Sequence, residues 1–151
     1  MSEWETNISS SGRDAVIRGE DLEDVMDMEF ADAIWLLLKG EKPSEKESKI
    51  FNAILSSSID HGVGNPSTVS ASTVQSGGND MNTSVAGGVL ALGDNHGGAI
   101  EECMRILQRQ ESAREIVERY LEHGAKIPGM GHKVYDGQDR RPQKLLERDE
   151  D

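Results

Sequence analysis

The residues able to do chemistry in this sequence are its histidines, at 61, 96, 123 and 132, and a basic cluster near the end. The stretch Gly93-Asp94-Asn95-His96-Gly97-Gly98 sets one imidazole between an Asp-Asn pair and two glycines. A helical pattern follows at once, with Ile100, Cys103, Met104 and Leu107 on one face. A helix N-terminus carries roughly half a positive charge and several unpaired N–H donors, so it disfavours an imidazolium cation. Neutral imidazole still donates one hydrogen bond, and an oxygen gaining negative charge is a fitting acceptor. Gly97 and Gly98 would let a substrate come close to the backbone. His96 therefore suits stabilisation of an enolate or alkoxide. The alternative stands level with it: His96 belongs to the helix cap, and the glycines serve tight packing.

His132 closes a loop, Lys126-Ile127-Pro128-Gly129-Met130-Gly131-His132, and basic residues follow it. Between residues 132 and 144, Lys133, Arg140, Arg141 and Lys144 face only Asp136 and Asp139, a net charge of +2 inside a chain of −12. A local reversal of sign points to an anionic ligand. A surface loop histidine is the plainer reading of His132. His61 stands before the glycine-rich turn Gly62-Val63-Gly64, where a cation at a helix end is favourable without any function. His123, just before Gly124, has the same structural reading and is left out of the site.

The elements that must hold these groups read as helices. Ser44 and Glu47 are spaced as a capping box, and Ile50, Phe51, Ile54 and Leu55 follow at the helical period. Ser112 and Glu115 form a second box, with Gly124 as a C-terminal stop. An earlier helix covers Phe30 to Lys39 and stops at Gly40. Residues 15–18, Ala-Val-Ile-Arg, read as a short strand. Residues 66–74 stay open between a Ser/Thr-rich linker and a helix begun by Pro66. Residues 84–92 have almost no polar face, so they predict a buried helix whose small residues let neighbours approach closely. No repeat shows, and no domain boundary before residue 124. The fold class is mainly α.

Composition excludes several functions. A net charge of −12 repels nucleic acid and anionic membrane. Cys103 is the only cysteine, so no intramolecular disulfide forms, and the histidines lack metal-ligand spacing. The N-terminal MSEWETNISSS carries no apolar run of the kind a signal peptide needs, and the longest apolar run, residues 33–38, is too short to span a bilayer. These features lead to the expectation of a cytoplasmic protein with no metal and no permanently bound cofactor.

Five motifs, VIRGEDLEDVM, FADAIWLLLKGEKPSE, SSSIDHGVGNPST, GDNHGGAIEE and IPGMGHKVYDGQDRR, occur in the order and style of the citrate synthase superfamily. The wording GDNHGGAIEECMRIL and the early NISSS look closer to its citryl-CoA lyase branch. The resemblance runs from about residue 7 to about residue 145. It implies a citrate synthase-like helical fold, assembled as a homodimer, that makes or breaks the bond between an acetyl-CoA unit and oxaloacetate, the chemistry known from the tricarboxylic acid cycle. His96 matches the histidine that hydrogen-bonds the thioester oxygen as the enolate forms. His132 matches the one that bonds the oxaloacetate carbonyl or the citryl hydroxyl. His61 and Arg141 match residues that bind the oxaloacetate or citryl moiety, Arg141 through a carboxylate. Lys133, Arg140 and Lys144 would meet coenzyme A, which enters as a thioester substrate. Asp136 stands where many relatives carry a basic residue, and Arg140 replaces the proline of the usual Asp-Pro-Arg triplet. The family's protonating aspartate lies farther downstream than Asp151, so the expectation is a C-terminally incomplete domain, the N-terminal portion of the fold. The resemblance implies citryl-CoA cleavage to acetyl-CoA and oxaloacetate, with citrate synthesis, or a catalytically inactive fragment that only binds ligand or dimerises, as the alternatives.

Overall fold

The computed structural model describes residues 6–10, 15–60, 62–131 and 140–150, with side chains described up to residue 147. It is mostly helical and divides into two compact units, Met1–Asp60 with Gln138–Asp151, and His61–Gly137. The first break comes well before residue 124, where the sequence shows none. It falls just ahead of the glycine-rich stretch Gly62-Val63-Gly64, which is too short to stand out as a linker.

In the first unit, β1 (Ser9–Ser10), β2 (Val16–Ile17) and β3 (Glu20–Asp21) form a small antiparallel sheet, with Ser9 opposite Ile17 and Val16 opposite Asp21. Only β2 falls in the expected strand. The polar pairs Ser9-Ser10 and Glu20-Asp21 have no alternation to betray them. Arg18 and Gly19 take φ of 52° and 87°, the two left-handed positions of a tight hairpin turn. Arg18 Nε donates to the Leu37 carbonyl at 3.0 Å, in the last turn of the following long helix. That helix, α2 (Phe30–Lys39), comes after the short α1 (Leu22–Met26) and ends at Gly40 with φ 83°, whose N–H reaches the Leu36 carbonyl. Leu36 is 1% exposed and anchors the packing. Trp35 meets Phe51 of α3 (Glu45–Ser57) edge to face, with ring centroids 5.3 Å apart. α8 (Arg140–Glu150) packs on α3.

The second unit begins with α4 (Pro66–Ser76), so the open segment is a helix. Pro66 occupies its first turn, and Asn65 Oδ1 accepts from the Thr68 N–H at 2.9 Å. α5 (Met81–Leu90) lies against α4 through small residues. A Cβ at Gly87 would stand 2.8 Å from Val74 Cγ2, and one at Gly88 would stand 3.1 Å from the Ser67 carbonyl. Buried Ser84 bonds Gln75 Oε1 at 2.7 Å. The close approach is as expected, but the helix is not buried all round: Val85, Val89 and Leu90 are exposed, Leu90 at 84%. Small residues fill the contact face, and the larger apolar ones fall on the other side. α6 (Ala99–Leu107) buries Ile106, and α7 (Ala113–Glu122) follows. Among the described residues the buried apolar side chains are Ala31, Leu36 and Ile106.

Both capping boxes form. Ser44 Oγ accepts from the Glu47 N–H, Ser112 Oγ accepts from the Glu115 N–H, and each glutamate reaches back to the serine N–H at 2.8 Å. The Ser44 backbone N–H and then its hydroxyl hold the Glu47 carboxyl below the usual range; the Ser112 hydroxyl and then its N–H do so for Glu115. A depressed carboxyl contributes stability that is present above its unfolded value and disappears as pH falls through the folded one. Replacing Ser112 with Ala is expected to cost about 1 kcal/mol at neutral pH. The gap between Ser112→Ala and wild type in thermal midpoint should narrow on acidification below the ordinary carboxylate range, leaving the part that Ser112 Oγ contributes by accepting from the Glu115 N–H. A gap that is the same at neutral and strongly acid pH would show that the box carries no linked proton.

Candidate functional site

The His96 turn is built by backbone bonds. The Gly93 N–H donates to the His96 carbonyl at 3.0 Å, the His96 N–H to the Gly93 carbonyl at 2.8 Å, and the Gly98 N–H to the same carbonyl at 3.1 Å. Gly97 takes φ 105°, and a Cβ at Gly98 would stand 2.6 Å from Asp94 Cα. The two glycines are thus required by the turn itself, as the packing alternative has it. Gly98, not His96, is the N-cap of α6. The His96 side chain does something else.

Half-buried His96 sets Nε2 3.1 Å from Ser67 Oγ, in the first turn of α4. Ser67 Oγ in turn donates to Asn65 Oδ1 at 2.6 Å. Asn65 Nδ2 donates to the Gly62 carbonyl at 2.7 Å, and Oδ1 already accepts from the Thr68 N–H, so Oδ1 can only accept. The Ser67 proton is committed to Asn65, and its oxygen accepts from His96 Nε2–H. A neutral His96 in this arrangement carries its proton on Nε2 and presents Nδ1 as an acceptor. For Nδ1 to donate to an oxygen gaining charge, the Ser67 hydroxyl must turn from Asn65 to Nε2. Asn65 Oδ1 would keep its bond to Thr68, so the turn strands no buried group.

Sequence reasoning passed over Asn65 and Ser67. Their signal was the Asn-Pro-Ser start of α4, whose helical character was itself open. Gly88 is a third omission: without a side chain it lets α5 rest on the Ser67 carbonyl and fix the first turn of α4.

Arg140, Arg141 and Lys144 lie on α8, a helix absent from the sequence reading. Arg141 is half-buried with Leu145, one turn on, while Arg140 and Lys144 share an exposed face four residues apart. His61, His132 and Lys133 lie outside the described residues. His96 belongs to the second unit and Arg141 to the first. His123 ends α7, with Nδ1 donating to the Arg119 carbonyl at 2.7 Å, a helix-end role.

The family model for the citrate synthase C-terminal domain matches residues 19–148. The chain belongs to the citrate synthase family. A citrate synthase of Haloferax volcanii is 34% identical over 110 residues, which are 70% of this chain and 29% of that protein. The solved structure of citryl-CoA lyase from Hydrogenobacter thermophilus superposes with a TM-score of 0.88 at 45% identity, over 96% of this chain and 59% of that one. The ATP citrate lyase of Methanosaeta concilii, solved in complex with (3S)-citryl-CoA, matches with a TM-score of 0.82 at 26% identity, over 98% of this chain and 26% of that one. This citrate synthase family chain therefore spans about a third of the curated relatives it matches and under two thirds of the lyase.

The hydrogen-bond chain makes a spectroscopic prediction. In the ligand-free protein, 15N correlation spectra of the neutral form of His96 should show a protonated Nε2 and a bare Nδ1. Ser67→Ala should erode that preference while α4 keeps its Asn65 cap. The opposite tautomer in wild type would contradict the direction assigned to the Ser67 proton.

Proposed function

We propose that this chain carries part of a site that reversibly cleaves citryl-CoA to acetyl-CoA and oxaloacetate. The observation that carries the reading is the likeness to citryl-CoA lyase, 45% identical over nearly the whole of this chain. The Asn65–Ser67–His96 chain adds a chemical reason for it.

The reaction asks for three things. As the carbon–carbon bond breaks, the tertiary hydroxyl loses its proton and becomes the oxaloacetate carbonyl. The electron pair passes into the thioester as an enolate, and a proton then returns to its carbon. His132 is the proposed partner of the hydroxyl. His96 is the proposed donor to the enolate oxygen, through Nδ1–H once the Ser67 proton has turned to Nε2. The growing charge on the oxygen itself favours that tautomer. His61 and Arg141 are the proposed contacts of the oxaloacetate end, where a guanidinium can grip a carboxylate with two parallel bonds. Lys133, Arg140 and Lys144 are proposed to meet the phosphates of coenzyme A. A CoA thioester as substrate also agrees with the bound citryl-CoA of the Methanosaeta concilii neighbour.

Citrate synthesis, in which the same pieces condense and the thioester is hydrolysed, is the second reading, favoured by the name of the Haloferax volcanii relative. Products separate the two. If purified chain turns over citryl-CoA, acetyl-CoA and oxaloacetate as products support the lyase, and citrate with free coenzyme A favours the synthase. Absence of both turnover and oxaloacetate binding would defeat the proposal, whereas binding without turnover would identify a chain that only holds ligand. Arg141→Ala is expected to weaken oxaloacetate binding by about 1.5–3 kcal/mol, as for a hydrogen bond to a charged group. Unchanged affinity would remove Arg141 from the site.

A homodimer is proposed as well, with the exposed Val85, Val89 and Leu90 of α5 facing a second copy. Sedimentation of wild type should report a dimer and of Val89→Lys a monomer. A monomeric wild type would exclude that use of the face.

A further inference from the structure

Residues 127–131 form a turn in which the Met130 N–H donates to the Ile127 carbonyl at 3.1 Å and Gly129 takes φ 75°. The turn sits directly on α6. A Cβ at Gly129 would stand 2.8 Å from Cys103 Cβ, 2.9 Å from Cys103 Sγ and 3.6 Å from the Ala99 carbonyl. Ala99 is the first residue of α6 and Cys103 lies one turn on, so the contact presses on the part of the helix that begins three residues after His96. Gly98 offers no side-chain cap there, and Ile100 is exposed. In sequence, the same turn leads into His132. The 127–131 turn is thus seated on the helix that follows the His96 turn through a contact that leaves no room for a side chain at Gly129.

We propose that Cys103 is a positioning residue: its short side chain beneath Gly129 fixes the spacing between the 93–98 turn and the 127–131 turn, and added bulk at that position lifts the second turn off α6. The consequence for activity rests on the reading of His96 given above; the consequence for packing does not. Half-buried Cys103 is close-packed on its Gly129 side, where a methylthio group or two further carbons would press on the turn.

Cys103 is the only thiol, so methyl methanethiosulfonate modifies one site. The thiolate attacks the thiosulfonate sulfur, a mixed disulfide forms, methanesulfinate leaves, and dithiothreitol reverses the change. Complete modification, checked by mass, is expected to raise amide exchange at Met130 by about tenfold or more, with Ile116 in α7 unaffected and dithiothreitol restoring the original rate. Cys103→Leu should do the same without chemistry, and Cys103→Ala should match wild type. With citryl-CoA, kcat should fall more than KM changes, since the substrate contacts remain while their spacing is lost. Unchanged exchange at Met130 in both the modified protein and Cys103→Leu would overturn the proposal, as would a Cys103→Ala variant as disturbed as Cys103→Leu. An unmodified protein that neither turns over citryl-CoA nor binds oxaloacetate, but shows the exchange response, would remove the functional reading and leave the clamp in place.

Discussion

The second unit depends on how closely α5 can approach α4. Two side-chain-free positions, Gly87 and Gly88, let one helix rest on Val74, Ala71 and the Ser67 carbonyl of the other. That seam fixes the first turn of α4, where Asn65 caps the helix and Ser67 meets His96. The geometry of the imidazole is therefore set by missing atoms two helices away. A methyl group at Gly88 would arrive 3.1 Å from a backbone oxygen, which cannot rotate aside as a side-chain tip would.

The hydrogen-bond chain also separates the imidazole from the glycines beside it, which the sequence reads together. The glycines beside His96 are explained by the turn they make, yet the imidazole is not a cap. It is held by a hydroxyl that has one proton and two acceptors, so the same three side chains can present either an acceptor or a donor at Nδ1. A histidine locked by a carboxylate would lack that choice, because a carboxylate has no proton to redirect.

Some of this was legible in the sequence and some was not, for physical reasons. The capping boxes at Ser44 and Ser112 and the stop at Gly40 were readable because they depend on residues three or four apart, and all three stand where expected. α4 stayed ambiguous because its serines and threonines are weak helix formers; Asn65, Pro66 and packing against α5 decide it. α8 was missed because it opens Arg-Arg-Pro, and its apolar positions are few. The α5 expectation failed at its exposed side: period and composition say which residues are small, but not which neighbour is close enough to need that. His96 and Arg141 were singled out by residue type and setting, whereas Ser67 could be found only through a contact 29 residues away in sequence.

Arg18 has one more consequence. Strands of two residues cannot hold a sheet together by themselves. This hairpin has a tether, the Arg18 guanidinium on the Leu37 carbonyl at the end of α2. A helix end frays before its middle, and the last turn of α2 is the turn the hairpin holds. The two therefore guard one another, the helix giving the hairpin a reason to persist and the hairpin closing the helix at its weakest point. In the language of local unfolding they are a single opening unit, and the hairpin lasts as long as α2 stays wound.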